Sequence, residues 1–342
     1  MALTYKTRQF YRRLFRVLLT LALVALVLLL CWVLWLRRFI IYTDAGVRLD
    51  FGLSQQWPLG QTGQATEPGS MPDIYFTQTT STPPPTVDQQ EDQFEGYYVT
   101  LESLQTELDT VLEQILALPA GTPVMLDVKG YRGTSYYTSA ISASSDTFDM
   151  KVMDPFFEAV NASGVHAIAR LPAFADFVFA DANHSCGLKE SRGVLWVDEN
   201  RCYWLDPASE GTMNHLIALC EELEGMGFDE VAFTHFCFPD TDQVVYEQDK
   251  AEVIQKAALA LVNACANDFF AVSFITTDPA FSLPEGNCRL YLQDVAAANV
   301  QLVLEQMAPD VVKRTVFFTI TKDTRFETCG VIRPLSMAQF AE

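Results

Sequence analysis

A charged pair, Asp127 and Lys129, ends the apolar segment PVMLDVK, residues 123–129. Residues two positions apart on a β-strand share one face, so both side chains should point the same way. On the face of a ligand site, a carboxylate and an ammonium would be catalytic or substrate-binding groups. The alternative is a buried structural ion pair. Arg170 ends another apolar segment, 165–171, and we expect it to contact substrate or to pair with Asp127, since a buried charge needs a partner.

Aromatic residues are concentrated between residues 187 and 210, including Trp196 and Trp204. Aromatic faces stack on the C–H faces of sugars, so these residues indicate carbohydrate binding. Alternatively, they form a small core that holds a long loop in place. Asp206 precedes Pro207 at the start of a predicted helix, where it either binds substrate or caps the helix.

His235 lies next to Thr234 near the end of the apolar segment 230–236 and is a candidate general base or substrate-binding group. Side chains alternate along a strand, so an inward Thr234 would turn His235 outward. Asp240 and Asp242, in the following loop, are candidates for a further carboxylate, although acidic loop residues are usually only solvated.

Asp229 and Glu230 begin the same segment, so we expect them at the other end of the strand, in structural roles. The eight cysteines include no CxxC pair, and no GxGxxG or GxxxxGK[ST] motif follows the first predicted strand. We therefore predict no metal site and no cofactor. Cys186 and Cys202 flank one loop and are the most plausible disulfide pair.

These residues are positioned by short apolar strands that alternate with amphipathic helices. The predicted strands are 96–100, 123–129, 165–171, 230–236, 269–276, 289–295, 315–321 and 329–334, and the predicted helices are 101–118, 152–163, 211–226, 249–267 and 297–308. Eight strands over about 245 residues predict a single (β/α)8 TIM-type barrel in residues 96–342, an α/β fold. In such barrels functional side chains lie at the carboxyl ends of the strands. A doubly wound open sheet is the alternative.

The residues before this domain predict a membrane anchor. Residues 17–36 are twenty uncharged, mostly apolar residues, long enough for one helix to span a bilayer. Five basic residues precede them in the tail 1–16, which predicts a single-pass protein with a cytoplasmic N-terminus and an extracellular C-terminal domain. A cleaved signal peptide is the alternative, but the segment is long for one and no small-residue cleavage motif follows it.

Two segments connect the predicted membrane helix to the barrel. Residues 39–51 alternate apolar and polar residues around Asp44-Ala45-Gly46, which predicts a β-hairpin. Residues 52–95 are rich in Pro, Ser and Thr, which predicts a disordered linker. The net charge of −20 argues against a nucleic-acid partner, because such a protein needs a basic surface.

The ordered set of motifs from residue 96 to about residue 300 resembles a bacterial family of glycoside-hydrolase-like domains with a TIM-barrel fold. The motifs are Leu126-Asp127-Val128-Lys129, Ile168-Ala169-Arg170, Trp196-x-Asp198, Trp204-Leu205-Asp206-Pro207, Gly227-Phe228-Asp229-Glu230 and Phe238-Pro239. The resemblance implies a domain that binds, and in active members hydrolyses, polysaccharide or cell-wall glycan.

The chain departs from the family pattern at one candidate catalytic position. Where the family has Phe-Asp-Tyr-x-Arg-Phe-Pro, this sequence has Phe233-Thr234-His235-Phe236-Cys237-Phe238-Pro239, so Thr234 occupies the position of the family aspartate. Glycoside hydrolysis normally needs two carboxyl groups, and a threonine hydroxyl replaces neither. The resemblance therefore implies a catalytically degenerate, glycan-binding protein.

Two alternatives stay open at this point, a non-enzymatic envelope or scaffold protein and an active hydrolase with relocated carboxylates. Two carboxyl groups about 5–10 Å apart in the barrel mouth would favour activity. An Asp127 already paired with Arg170 would favour the non-enzymatic protein.

Overall fold

The structure, a computed structural model, describes residues 40–43, 46–49 and 94–338. The predicted basic tail 1–16, the predicted membrane segment 17–36 and nearly all of the predicted linker lie outside these residues. Ile40–Thr43 and Gly46–Leu49 pair as antiparallel strands, with Thr43 opposite Gly46. Within the described ranges, no helix combines the length and the apolar character that a membrane span requires.

Eight strands form a closed and entirely parallel barrel. They are β1 (Glu95–Tyr98), β2 (Pro123–Asp127), β3 (His166–Pro172), β4 (Glu230–Thr234), β5 (Ala271–Thr276), β6 (Leu290–Leu292), β7 (Thr315–Phe318) and β8 (Gly330–Pro334). Each strand pairs with the next along the chain, and β8 closes the barrel against β1. This order confirms the (β/α)8 TIM-type barrel and excludes the doubly wound open sheet.

Helices occupy most of the connections between strands. They are α1 (Leu101–Thr106), α2 (Leu108–Leu116), α3 (Met150–Ala162), α4 (Phe177–Ala182), α5 (Glu210–Gly225), α6 (Lys250–Cys265), α7 (Val300–Gln306) and α8 (Pro309–Lys313). The first predicted helix is divided at Glu107, and α4 is a helix that the sequence pattern does not predict. No α-helix connects β5 to β6, and β7 reaches β8 through the short 3-10 helix Thr324–Thr328.

The two faces of the strands build two apolar cores. Inside the barrel, the middle layer consists of Met125, Ile168, Ala232, Ile275, Tyr291, Val316 and Ile332. Outside it, helices cover the strands, and α5 buries Leu216, Leu219, Cys220 and Leu223 there. Because side chains alternate along a strand, the inward Met125, Ile168 and Ala232 require that Asp127, Arg170 and Thr234 also face inward, nearer the carboxyl end.

A buried polar network closes the opposite, amino-terminal end of the barrel interior. The carboxylate of Glu230 is fully buried and accepts hydrogen bonds from Tyr291 Oη at 2.9 Å and from Arg289, and it lies 2.9 Å from His166 Nε2. Burial raises the pKa of Glu230, but the contact with His166 and the charge of Arg289 outweigh this effect and lower it. Asp229 accepts a backbone N–H of β3. Both acidic residues therefore have structural contacts.

Candidate functional site

Asp127, Arg170 and Thr234 form the last inward-facing layer at the carboxyl-end mouth of the barrel. Asp127 lies opposite Arg170 in the β2–β3 pairing, and Thr234 lies opposite Pro172 in the β3–β4 pairing. Arg170 Nη1 is 3.5 Å from Asp127 Oδ1, and both side chains are partly exposed. The expected ion pair between Asp127 and Arg170 is therefore present, and Thr234 contributes only a hydroxyl to this layer.

The ion pair leaves part of Arg170 unsatisfied. Its Nε is buried and has no hydrogen-bond partner within the part of the chain that the structure describes. A buried polar group without a partner costs about 1–3 kcal/mol. Burial raises the pKa of Asp127 more than the charge of Arg170 lowers it. The layer thus combines a carboxyl group whose pKa is raised with a guanidinium whose Nε has no acceptor.

A cavity of about 550 Å³, called the mouth cavity below, opens beside this layer. Its volume lies within the range of about 300–1,000 Å³ that is typical of small-molecule sites. Tyr98 and Phe318 supply half-buried aromatic rings to its wall, with ring centroids 5.5 Å apart. Its polar wall includes Arg170, Gln293, Asp294, Thr319 and Thr321. The mouth cavity therefore offers aromatic surface together with hydrogen-bond donors and acceptors.

Asp294 is a carboxylate at the mouth that the sequence analysis did not single out. Strand β6 ends at Leu292, so Gln293 and Asp294 belong to the following loop and not to the predicted strand 289–295. Asp294 is exposed and has a φ of 59°, in the left-handed region. Its position directly after an apolar strand is the signal that identifies it, because functional side chains of these barrels follow the strands.

His235 also lies at the mouth, although strand alternation predicts an outward side chain. Strand β4 ends at Thr234, and His235 adopts a left-handed conformation with a φ of 52°, which breaks the alternation. Its ring lies edge-on to Tyr131 and Trp204, with centroids 4.9 and 5.9 Å apart, and its Nδ1 is 3.0 Å from Thr234 Oγ1. Burial, followed by the charge of Arg170, lowers the pKa of His235, so its imidazole is mainly neutral at pH 7.

Trp196 and Trp204 form a small core and do not present exposed faces. They are 7% and 6% exposed and lie edge-to-face, with centroids 6.4 Å apart. Trp196 Nε1 donates to Gln243 Oε1 at 3.1 Å, and Trp204 Nε1 donates to Asp198 Oδ2 at 2.9 Å. Asp198 also accepts a hydrogen bond from Tyr131. These contacts favour the interpretation in which the two tryptophans hold the loop in place. Trp204 also makes the edge-on contact with the ring of His235.

Lys129 lies behind the mouth and does not share the face of Asp127. Strand β2 ends at Asp127, after which the chain turns back over residues 130–133. Lys129 Nζ lies 2.5 Å from Asp176 Oδ2, and both side chains are 1% exposed. His215 Nε2 lies 3.3 Å from the same carboxylate oxygen. The structure therefore favours the buried ion pair for Lys129, with Asp176 as its partner.

The cluster of Lys129, Asp176 and His215 fixes the segment that follows β3. Asp176 Oδ1 accepts the Phe179 N–H at 2.8 Å and so caps α4. Burial raises the pKa of Asp176, but the charge of Lys129 and the hydrogen bonds outweigh this effect and lower it to about 2. Gly133 packs against this carboxylate with a φ of 93°, and a Cβ there would lie 1.9 Å from Asp176 Oδ1. Only glycine fits that position.

Three other candidate residues lie away from the mouth cavity. Asp206 accepts hydrogen bonds from a backbone N–H at 2.9 Å and from Tyr246 Oη at 2.8 Å, and it borders a separate cavity of about 290 Å³. It does not cap α5, whose N-cap residue is Ser209. Asp240 and Asp242 are exposed and do not line the mouth cavity.

The prediction of a disulfide between Cys186 and Cys202 is wrong, because both thiols are free. Cys202 Sγ lies 3.3 Å from the carbonyl oxygen of Tyr131, whereas Cys186 Sγ lies 3.9 Å from Ser185 Oγ, so the two thiols have different neighbours. Among residues 40–43, 46–49 and 94–338, no group of three His, Cys, Asp or Glu side chains is arranged to hold a metal ion.

Solved structures similar to this chain include three bacterial proteins. A hypothetical protein from Ruminiclostridium thermocellum ATCC 27405 is 21% identical over 52% of this chain and 96% of its own, with a TM-score of 0.44. The α-galactosidase TtGalA from Thermus thermophilus, solved with stachyose, is 11% identical over 71% of this chain and 61% of its own, with a TM-score of 0.49. The β-N-acetylhexosaminidase from Bacteroides fragilis NCTC 9343 is 9% identical over 68% of this chain and 54% of its own, with a TM-score of 0.48.

A match to a protein family covers the part of the barrel that contains the mouth layer. No curated protein sequence matches the chain. Residues 96–272, just over half of the chain, match the model of one family, and this range includes Asp127, Arg170 and Thr234. The chain therefore belongs to the family described as "Putative glycosyl hydrolase domain".

Proposed function

We propose that this protein is a membrane-anchored, extracellular barrel that binds polysaccharide or cell-wall glycan at its mouth without two-carboxylate hydrolysis. The observation that carries the proposal is the composition of the mouth layer. Asp127 is engaged by Arg170, and Thr234 stands where the family pattern has an aspartate. A two-carboxylate mechanism needs an acid together with a nucleophile or base, and this layer supplies a single carboxyl group.

The mouth cavity supports glycan binding. The rings of Tyr98 and Phe318 offer apolar faces for the C–H surface of a pyranose. Gln293 and Asp294 offer hydrogen-bond partners for hydroxyl groups on the same wall. A few polar groups around an aromatic surface are the usual construction of a small-molecule site.

A second candidate function is hydrolysis with a relocated carboxylate. Asp294 favours it, because this exposed carboxylate lines the mouth cavity at the end of β6. Burial raises the pKa of Asp127, which is the direction of shift that a general acid requires. In this case Asp127 would protonate the leaving group and Asp294 would act as base or nucleophile.

Activity assays of the wild type and of Thr234→Asp separate these functions. On a panel of plant, fungal and bacterial glycans, the wild type should bind but release no reducing sugar above background. Thr234→Asp should raise trace hydrolysis by ~10²–10⁴-fold if the family aspartate is catalytic, since general acid–base assistance has that size. Thr319→Asp is the matched control, because Thr319 is a similarly buried threonine on the mouth cavity.

Robust wild-type turnover that disappears in both Asp127→Asn and Asp294→Asn would establish the second candidate. Absence of binding to every glycan would contradict the proposed function itself. A thermal melt of each variant controls for unfolding, because an aspartate at position 234 places a charge in a mostly buried site.

The proposed membrane topology has its own test. The basic residues before residue 17 should keep the N-terminus in the cytoplasm, so the barrel should be accessible from outside. Protease added to intact cells should remove an epitope placed at the C-terminus while sparing one placed at the N-terminus. Protection of the C-terminal epitope until the cells are lysed would contradict this orientation.

A further inference from the structure

Arg170 differs from Arg333 and Arg314, two other arginines of the barrel, in how its donors are used. Arg333 donates from Nη1 to Glu95 at 2.6 Å and from Nε to the Thr321 carbonyl at 3.2 Å. Arg314 donates to the Pro284 carbonyl at 2.7 Å. Arg170 has the 3.5 Å contact with Asp127, and its buried Nε has no partner in residues 94–338. The protein therefore satisfies the guanidinium of Arg170 less fully than those of Arg333 and Arg314.

Arg170 lines the mouth cavity and 29% of its side chain is exposed, so the Nη end of its guanidinium can contact an acceptor on a ligand there. A guanidinium is a donor only, and its geometry matches the two oxygens of a carboxylate. Asp294 lines the same cavity. An ionised carboxylate can accept hydrogen bonds but cannot donate them, so Asp294 suits a ligand donor such as a hydroxyl group. The half-buried rings of Tyr98 and Phe318 on the wall of the same cavity suit an apolar face of the ligand. A sugar that carries a carboxylate has all three features in one molecule.

We infer that Arg170 binds the carboxylate of an acidic sugar in the mouth cavity, so that the ligand of this protein is an acidic glycan. This inference rests on the proposed glycan-binding function and specifies its ligand class. The carboxylate of the sugar contacts the exposed Nη end of the guanidinium, while Asp127 keeps Arg170 oriented from the neighbouring strand. The hydroxyl groups of the same ring lie toward Asp294 and Gln293.

The acidic character of the protein does not oppose this assignment at short range. The net charge of −20 is spread over the whole chain, and at physiological salt exposed charges more than about 8 Å away are largely screened. A hydrogen-bonded contact with Arg170 acts within that distance and is only partly exposed to solvent. The Arg170 contact therefore controls the local preference, and added salt should weaken the binding of the acid more than that of a neutral sugar.

The test compares each acidic sugar with its own methyl ester, using the full-length chain in mild detergent and calorimetric titration. Two pairs of acid and ester distinguish two sources of the carboxylate. An oligogalacturonate tests the carboxylate of a uronic acid, and a disaccharide that contains N-acetylmuramic acid tests the carboxylate of a lactyl ether. We expect at least one acid to bind about 10-fold or more tightly than its ester, because charge-assisted pairs are roughly twice as strong as neutral hydrogen bonds.

Arg170→Gln should abolish the preference for the acid, and Arg170→Lys should retain only part of it, because lysine keeps the charge but loses the fork. Arg192→Gln, which removes an arginine that is exposed on the surface, should keep the full preference. The comparison of acid with ester on the wild type needs no variant and stays valid if Arg170→Gln fails to fold.

Equal affinity for acid and ester would overturn the inference and leave the proposed glycan-binding function standing. Failure of both members of every pair to bind, with neutral glycans also unbound, would overturn the proposed function as well. If a folded Arg170→Gln variant keeps the preference for the acid, a group other than Arg170 binds the carboxylate of the sugar. This result would likewise contradict the inference.

Discussion

Replacing Asp176 with asparagine should lower the free energy of unfolding by about 3–5 kcal/mol, the cost of removing one partner of a buried ion pair. The substitution leaves the ammonium of Lys129 at 1% exposure without a carboxylate, and it replaces one of the two acceptor oxygens of residue 176 by an NH₂ donor. Urea denaturation followed by circular dichroism measures the change. Asp181→Asn is the matched control, because Asp181 lies on the same helix with an exposed side chain, and it should change stability by no more than about 0.5 kcal/mol.

A double variant, Lys129→Met with Asp176→Leu, tests whether the loss comes from the stranded charge. Replacing both members of a buried pair by apolar residues of similar size is often neutral. The double variant should therefore be markedly more stable than Asp176→Asn alone. Equal destabilisation of both proteins would show that shape and helix capping, and not the uncompensated charge, determine the loss.

The cluster of Lys129, Asp176 and His215 should make the free energy of unfolding depend on pH in the acidic range. The folded-state pKa of Asp176, about 2, lies below its unfolded value, so its contribution is complete above about pH 4 and is lost as the pH falls toward 2. The difference corresponds to about 2 kcal/mol. Burial lowers the pKa of His215, so this histidine also loses its contribution as the pH falls below about 6.5. Asp176→Asn should flatten the pH dependence of the unfolding free energy between pH 4 and 2.

Glu230→Gln should lower the free energy of unfolding by about 3 kcal/mol. The carboxylate is fully buried inside the barrel and contacts Arg289, Tyr291 and His166, so a neutral amide leaves the guanidinium without its counter-charge. Glu158→Gln, on the exposed surface of α3, is the control for the same chemical change. Thermal and urea unfolding of the two variants measure the difference. A change as small as in Glu158→Gln would mean that Arg289 is satisfied by solvent.

The barrel was predictable because its strands are short, apolar and regularly spaced. The pairing of Asp127 with Arg170 was predictable for the same reason, since both residues end neighbouring strands at one register position. Lys129 was misplaced because the rule of alternation holds only within a strand, and β2 ends two residues earlier.

His235 and Asp294 show a second limit of the sequence patterns. Both follow their strands in a left-handed conformation, which strand alternation does not predict, although histidine and aspartate adopt it more often than most other residues with a side chain. The Asp176 partner of Lys129 lies 47 residues away, and no local pattern connects the two. Cys186 and Cys202 show the opposite case, in which two residues that flank one loop in the sequence do not form a bond in the structure.

The left-handed conformations of His235 and Asp294 set stability against the chemical groups available at the rim of the barrel. Such a conformation costs a residue with a side chain about 1–2 kcal/mol, whereas glycine adopts it freely. A redesign for thermal stability alone would therefore choose glycine at both positions. It would gain a more stable barrel and lose an imidazole and a carboxylate from the opening. Engineering that aims to keep the proposed glycan binding should therefore leave both residues in place and seek added stability in the helices that surround the strands.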